Sequence, residues 1–407
     1  MRIVVLCATF AAFVLPPDAA AQPPQLTEAD ALQRLSESSP RVRAIRAGID
    51  LARADALAAG RWPNPRLTVD RESVGGITEY LTMVGQLLPV TGQRRLQVRA
   101  ASALVDAASS RADDAIRRAR ADLRLAFADL VAAQTREREL TGARDRLHEL
   151  ADVLARREAA GDVAGFDRLR AERETLDLEA DRDIAATDRA RAQARVAGFF
   201  ADSIDPSTIV AAAGDRAPAP LPAVDTLVTR AESTRGELLA LQKEVDAASF
   251  SSQAAGRRRI PEPELTAGTK SSSLGAGDVG SVVTVQAALP LFDHGGIERA
   301  IARARGRQAQ AQAAAFRNAL RTEIASMHTA VTERRSTAAR YRTSAVQSAG
   351  EIERIAQVSY DAGERGILEL LDAYRTAATA RLRQAALDAA VRQAEIELEY
   401  VSGWEIP

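Results

Sequence analysis

Few side chains in this 407-residue chain could do covalent or metal chemistry, and their spacing sets them apart from one another. The three histidines, His148, His294 and His328, are too scattered to suggest a metal triad. The single cysteine, Cys7, lies in an apolar N-terminal run. There is no phosphate loop, no nucleophile elbow and no His-Glu-x-x-His. Asp293-His294-Gly295-Gly296 reads as a strand-to-helix turn. The expectation is a protein that is not an enzyme, with no catalytic residue, no cofactor and no resident metal. Opposed charge is abundant instead: 54 Lys and Arg stand against 55 Asp and Glu, a net charge of −1. No global field recruits nucleic acid, and interleaving along helices makes these charges a solvated, ion-paired face.

The elements that carry those charges are written twice. Ala58-Ala59-Gly60-Arg61 with Pro63-Asn64-Pro65 returns as Ala254-Ala255-Gly256-Arg257 with Pro261-Glu262-Pro263. Leu88-Pro89-Val90 returns as Leu289-Pro290-Leu291. Ala160-Gly161-Asp162, followed by Leu169-Arg170-Ala171, returns as Ala362-Gly363-Glu364, followed by Leu371-Asp372-Ala373. Three anchors in one order define a tandem repeat of about 200 residues, far longer than a solenoid unit. Only 4% of residues are aromatic and 27% are charged, which suits long, closely packed helices.

Arg2, the apolar run Ile3 to Leu15 and Ala19-Ala20-Ala21 before Gln22 read as a secretory signal peptide over 1–21. Val4-Val5-Leu6 lacks the small residues of a lipid-attachment site ahead of Cys7, so the mature chain has no thiol. No later run is apolar enough for a spanning helix, but an exported chain can cross a membrane as strands. The first repeat is expected over 22–204, a Pro-rich linker over 205–222 and the second repeat over 223–407.

Each repeat opens with a helical segment, about 27–60 and 222–256, which ends where proline forbids continuation. Two β-like runs follow, at about 66–74 and 77–88, then at about 264–272 and 279–289. Leu67 and Val69 alternate with Thr68 and Asp70, Leu81, Met83 and Leu87 with Thr82, Val84 and Gln86, and Val279, Ser281, Val283, Val285 and Ala287 share a face. The run lengths suit tilted transmembrane strands. Four strands cannot close a membrane barrel, and an open edge in lipid strands its backbone groups, so a membrane role requires two copies or three.

A long helix follows each hairpin, at about 93–160 and 294–361, with a return helix at about 166–200 and 367–403. Val98, Val105, Ala112, Ala119, Ala126, Ala133, Leu140, Leu147 and Leu154 form an apolar column at seven-residue spacing. Ile324, Val331, Ala338, Ala345 and Ile352 repeat it. Gly161 and Gly363 supply the left-handed conformation that a helix end wants.

This succession, over essentially the whole mature chain, resembles the outer-membrane efflux proteins of the TolC family. The most specific elements are Tyr360-Asp361-Ala362-Gly363 with Leu368-Glu369-Leu370-Leu371-Asp372-Ala373, and Pro63-Asn64-Pro65 with Leu88-Pro89. Gly92-Gln93-Arg94-Arg95 is most similar to the heavy-metal efflux members, of the cobalt-zinc-cadmium and copper-silver type. The resemblance implies a mainly α fold with a small β part, assembled as a homotrimer. A twelve-stranded barrel would sit among outer-membrane lipid and continue as a periplasmic helical barrel. It implies a duct that takes substrate, heavy-metal cations in the closest subgroup, from an inner-membrane pump through a periplasmic adaptor protein.

It also implies roles for tip residues: Tyr360 and Arg365 as gate tethers, Asp167 as the partner carboxylate, and Asp372 as an acidic constriction. Gly161, Asp162, Gly363 and Glu364 would form the turns that dock the adaptor, with the acidic pair making docking more electrostatic. Each residue also has a plainer reading: Asp372 as a solvated carboxylate in the first turns of a helix, Tyr360 as a packing aromatic, Arg365 and Asp167 as surface charges. The alternatives for the whole chain are a periplasmic adaptor or structural coiled coil without a pore, or a similar duct for drugs or secreted peptides. Adaptors usually carry one helical hairpin, whereas this chain has two.

Overall fold

The computed structural model describes residues 25–37, 39–161, 165–200, 204–214, 219–274 and 278–404. The expected signal peptide with Cys7, and Asp162 at the first turn, lie outside the described residues. The first repeat comprises α1 (Glu28–Arg34), α2 (Pro40–Gly60), β1 (Arg66–Val74), β2 (Ile77–Leu87), α3 (Gln93–Ala159) and α4 (Gly165–Ala197). The second comprises α5 (Val224–Thr234), α6 (Gly236–Arg257), β3 (Pro263–Ser272), β4 (Val279–Ala287), α7 (Gly296–Tyr341), α8 (Gln347–Asp361) and α9 (Ile367–Ser402). Each opening segment is thus two helices; the first break precedes Pro40, which sits at the start of α2, where its missing N–H costs nothing.

Both Leu-Pro elements make the same turn. Val90 N–H donates to the Leu88 carbonyl and Leu291 N–H to that of Leu289, each at 2.9 Å, across the intervening proline. The strands stop before them, at Leu87 and Ala287, because proline has no N–H for the ladder. Each long helix then starts from a left-handed glycine, Gly92 or Gly295, both at φ 77°. Gly295 is fixed twice over, since a Cβ there would meet the Ala255 carbonyl oxygen at 2.1 Å.

The two hairpins join in one antiparallel sheet of order β1-β2-β3-β4. Its register pairs Leu67 with Val84, Val84 with Ala267, and Ala267 with Val283. Directly paired residues share a face, so Leu67, Val69, Tyr80, Val84, Leu265, Val283 and Val285 lie together. Leu81 and Met83 fall on the other face, with Asp70, Glu79 and Lys270. Alternation within β2 could not show this, because apolar residues occupy both of its faces.

The seam of α3 is buried from Ala112 through Leu154, apart from half-buried Ala133, and Leu123 and Leu130 are fully enclosed. In the second repeat Ile324, Val331 and Ala338 are buried as expected, but Ile352 and Ile355 are exposed. A single π-helical turn, Arg342–Val346, lies between. Its extra residue shifts the phase, so Ala349 and Ala356 take over the seam.

Part of the 205–222 stretch is docked. Leu26 and Ala211 form a parallel bridge, Gln134 makes hydrogen bonds with both the Ala211 N–H and its carbonyl, and Ile209 and Ala211 are buried. Beside it a charged network ties the repeats together. Arg124 and Arg392 both donate to Glu28, Arg124 also pairs with Glu399, and Arg335 pairs with Glu395.

Candidate functional site: the helical tip

The far end of the helices, opposite the sheet, gathers the residues that sequence singled out. Gly161 and Gly363 both adopt positive φ, 83° and 76°, with open space where a Cβ would stand. At the second turn, Glu364 N–H donates to the Ser359 carbonyl at 2.9 Å and Gly363 N–H to that of Tyr360 at 3.0 Å. This double closure satisfies the last carbonyls of α8 and turns the chain into α9. Glu364 is exposed at the apex.

Beneath the turns, Leu147, Leu150 and Leu154 of α3 pack with Ala171 of α4 and with Ile367, Leu370, Leu371 and Ala373 of α9. Tyr360 lies against this core. Arg157 of α3 sits over its ring, 5.5 Å from the centroid, and donates to its hydroxyl at 3.5 Å. Tyr360 therefore tethers α8 to the first repeat through Arg157.

Arg365 and Asp167 are not brought together within one chain, and neither makes an ion pair with another described residue. Asp372 is exposed on α9, one turn from Arg375, which pairs with Glu174 of α4. Further from the apex, Glu353 of α8 lies between Arg146 of α3, at 3.3 Å, and Arg381 of α9. Sequence reasoning passed over Arg157, Glu174, Glu353 and Arg375. Within single helices they look like ordinary surface charges, and only the packing of helix on helix, mostly between the two repeats, pairs them.

At the opposite end, the sheet has one apolar, exposed face: Val69, Val84, Val283 and Val285 are each more than half exposed. Its outer edges, β1 and β4, are unpaired among the described residues. No described helix is long and apolar enough to cross a membrane. Exposed valine on a strand face, with charge on the reverse, is the pattern of a barrel wall in lipid.

Residues 227–403 match the family model described as outer membrane efflux protein. The outer membrane protein VceC from Vibrio cholerae is similar at 17% identity and a TM-score of 0.74, covering 93% of this chain and 97% of that one. The CmeC outer membrane channel of Campylobacter jejuni is similar at 13% identity and 0.74, covering 99% and 94%. The Neisseria gonorrhoeae MtrE outer membrane channel, in its open state, gives 17% and 0.71, covering 93% and 88%. No curated protein matches the chain.

This is a TolC-like outer membrane efflux fold. That fold extends over nearly the whole chain, and the matched family model covers most of the second repeat. The apolar sheet face and the distant tip are its two ends. Gly92-Gln93-Arg94-Arg95 also gains a local explanation in this fold. Gly92 starts α3, while Arg94 donates to the Gly60 carbonyl at 2.8 Å and lies 5.3 Å from the centre of the Trp62 ring. The motif clamps the strand-to-helix junction.

Proposed function

We propose that three copies of this chain form the outer-membrane duct of a tripartite efflux system, receiving substrate from an inner-membrane pump through a periplasmic adaptor. The observation that carries this reading is the four-stranded sheet with an apolar face and two free edges. In lipid each free edge would leave a row of unsatisfied N–H and carbonyl groups, so β1 of one copy must pair with β4 of the next. Three copies give about twelve strands, a wall wide enough to leave a water-filled lumen.

The tip closes the duct at rest. Tyr360, held by Arg157, fixes α8; Arg365 and Asp167, unpaired within one chain, tie neighbouring helix pairs across the gate. Asp372 lines the narrowest level, where an acidic side chain from each of three copies gives a multivalent cation a place to plug the pore. The Gly161 and Gly363 turns dock the adaptor, with exposed Glu364 beside the second and Asp162 following Gly161 in sequence making that contact more electrostatic. Heavy-metal cations are the proposed substrate, resting on the resemblance of the Gly92–Arg95 motif to that subgroup.

Growth of a deletion strain, with and without the gene restored, tests the substrate across zinc, cobalt, cadmium, copper, silver, drugs and detergents. Sensitivity confined to metals supports the assignment. Sensitivity to drugs and detergents alone keeps the duct and overturns the metal reading.

A further inference from the structure

We infer that Arg170 is the counter-charge of Asp372, so that the narrowest level of the tip is an ion-paired seal and not a bare carboxylate ring. This rests on the reading of Asp372 as a constriction residue. The repeat aligns Leu169-Arg170-Ala171 of α4 with Leu371-Asp372-Ala373 of α9, putting opposite charges at equivalent positions. Ala171 and Ala373 are both buried in the same tip cluster, which sets the two helices at matching height.

The made contact is one turn away. Glu174 of α4 and Arg375 of α9 form an ion pair across the repeats. Arg170 stands four residues before Glu174 and Asp372 three before Arg375, so each lies on the same helix face as a member of that pair. Both helices leave the tip in the same direction, so the two residues also lie at one level, with the polarity of the pair reversed. Arg170 and Asp372 are exposed, and neither forms a salt bridge with a described residue, although Asp372 adds to the field that Glu174 places on Arg375. Glu174 to Arg375 is a closed rung, and Arg170 to Asp372 is the open rung nearer the apex. Three copies would bring three guanidiniums to the level of three carboxylates, so the level carries no net charge when the rungs close.

The test is block of the purified trimer in a planar bilayer by hexaamminecobalt(III), with cation-to-anion selectivity measured alongside. Arg170→Gln should expose Asp372 and lower the blocking concentration on the order of tenfold. Asp372→Asn should abolish block, alone or combined with Arg170→Gln. The exchanged pair, Arg170→Asp with Asp372→Arg, should return both readouts toward wild type, as should Arg170→Lys. If Arg170→Gln changes neither readout while Asp372→Asn abolishes block, Asp372 acts alone and the inference fails. If Asp372→Asn is also silent, the constriction reading falls and takes the inference with it. Trimer mass, checked for every variant, separates these results from misassembly.

Discussion

Gly363 shows at the scale of one residue how backbone conformation can be isolated from packing. A Cβ there meets nothing within 4 Å, so substitution tests φ alone. Gly363→Val should cost about 1–2 kcal/mol, read as a lower thermal midpoint, and Gly363→Asn should cost less. Equal midpoints for the two would remove the left-handed turn from the account. Glu28 tests charge in the same way. Burial pushes its carboxyl up, but the guanidiniums of Arg392 and Arg124 outweigh that and hold it below its ordinary value. A carboxylate lowered by folding stabilises above its unfolded pKa and loses that contribution as pH falls through the folded one. Acid titration below about pH 4.5 should therefore destabilise the wild type more steeply than Glu28→Gln. At neutral pH that variant should be weaker by about 1–3 kcal/mol, because two arginines lose a charged acceptor. Parallel acid limbs would contradict this role.

Among the elements, the helices test how far a seven-residue column predicts packing. Leu154 is fully enclosed beneath the tip, and Leu154→Ala should cost about 2–5 kcal/mol. The α3 column was legible because nothing interrupts it. The second column was legible only as far as Ala338, since no residue in Arg342–Val346 announces a π turn and the added residue rotates everything beyond it. Deleting Ser344 should turn α8 by about 100°, take Ala349 and Ala356 out of the seam and lower the thermal midpoint. An unchanged midpoint would mean the phase shift does not matter. Glycine turns and Leu-Pro elements were legible because their chemistry is local. The pairing of β2 with β3 was not, because which faces coincide depends on a strand about 200 residues away. The same distance hid Arg157 with Tyr360 and Glu174 with Arg375.

The whole molecule is a single chain with unfinished surfaces. Val283 and Val285 face outward on the sheet, and Ile352, Ile355 and Val358 lie exposed along α8. Phe166, Leu169 and Leu176 do the same along α4. The strand faces suit lipid, while the two helical stripes suit contact between copies. Both are explained together if three copies close the sheet edges and stack their helices. The direct measurement is the protein mass of the detergent-extracted complex by light scattering, with the detergent contribution subtracted. Three chains are expected, with aggregation when detergent is withdrawn. A complex of two chains, or a single chain that stays dissolved without detergent, would contradict this expectation.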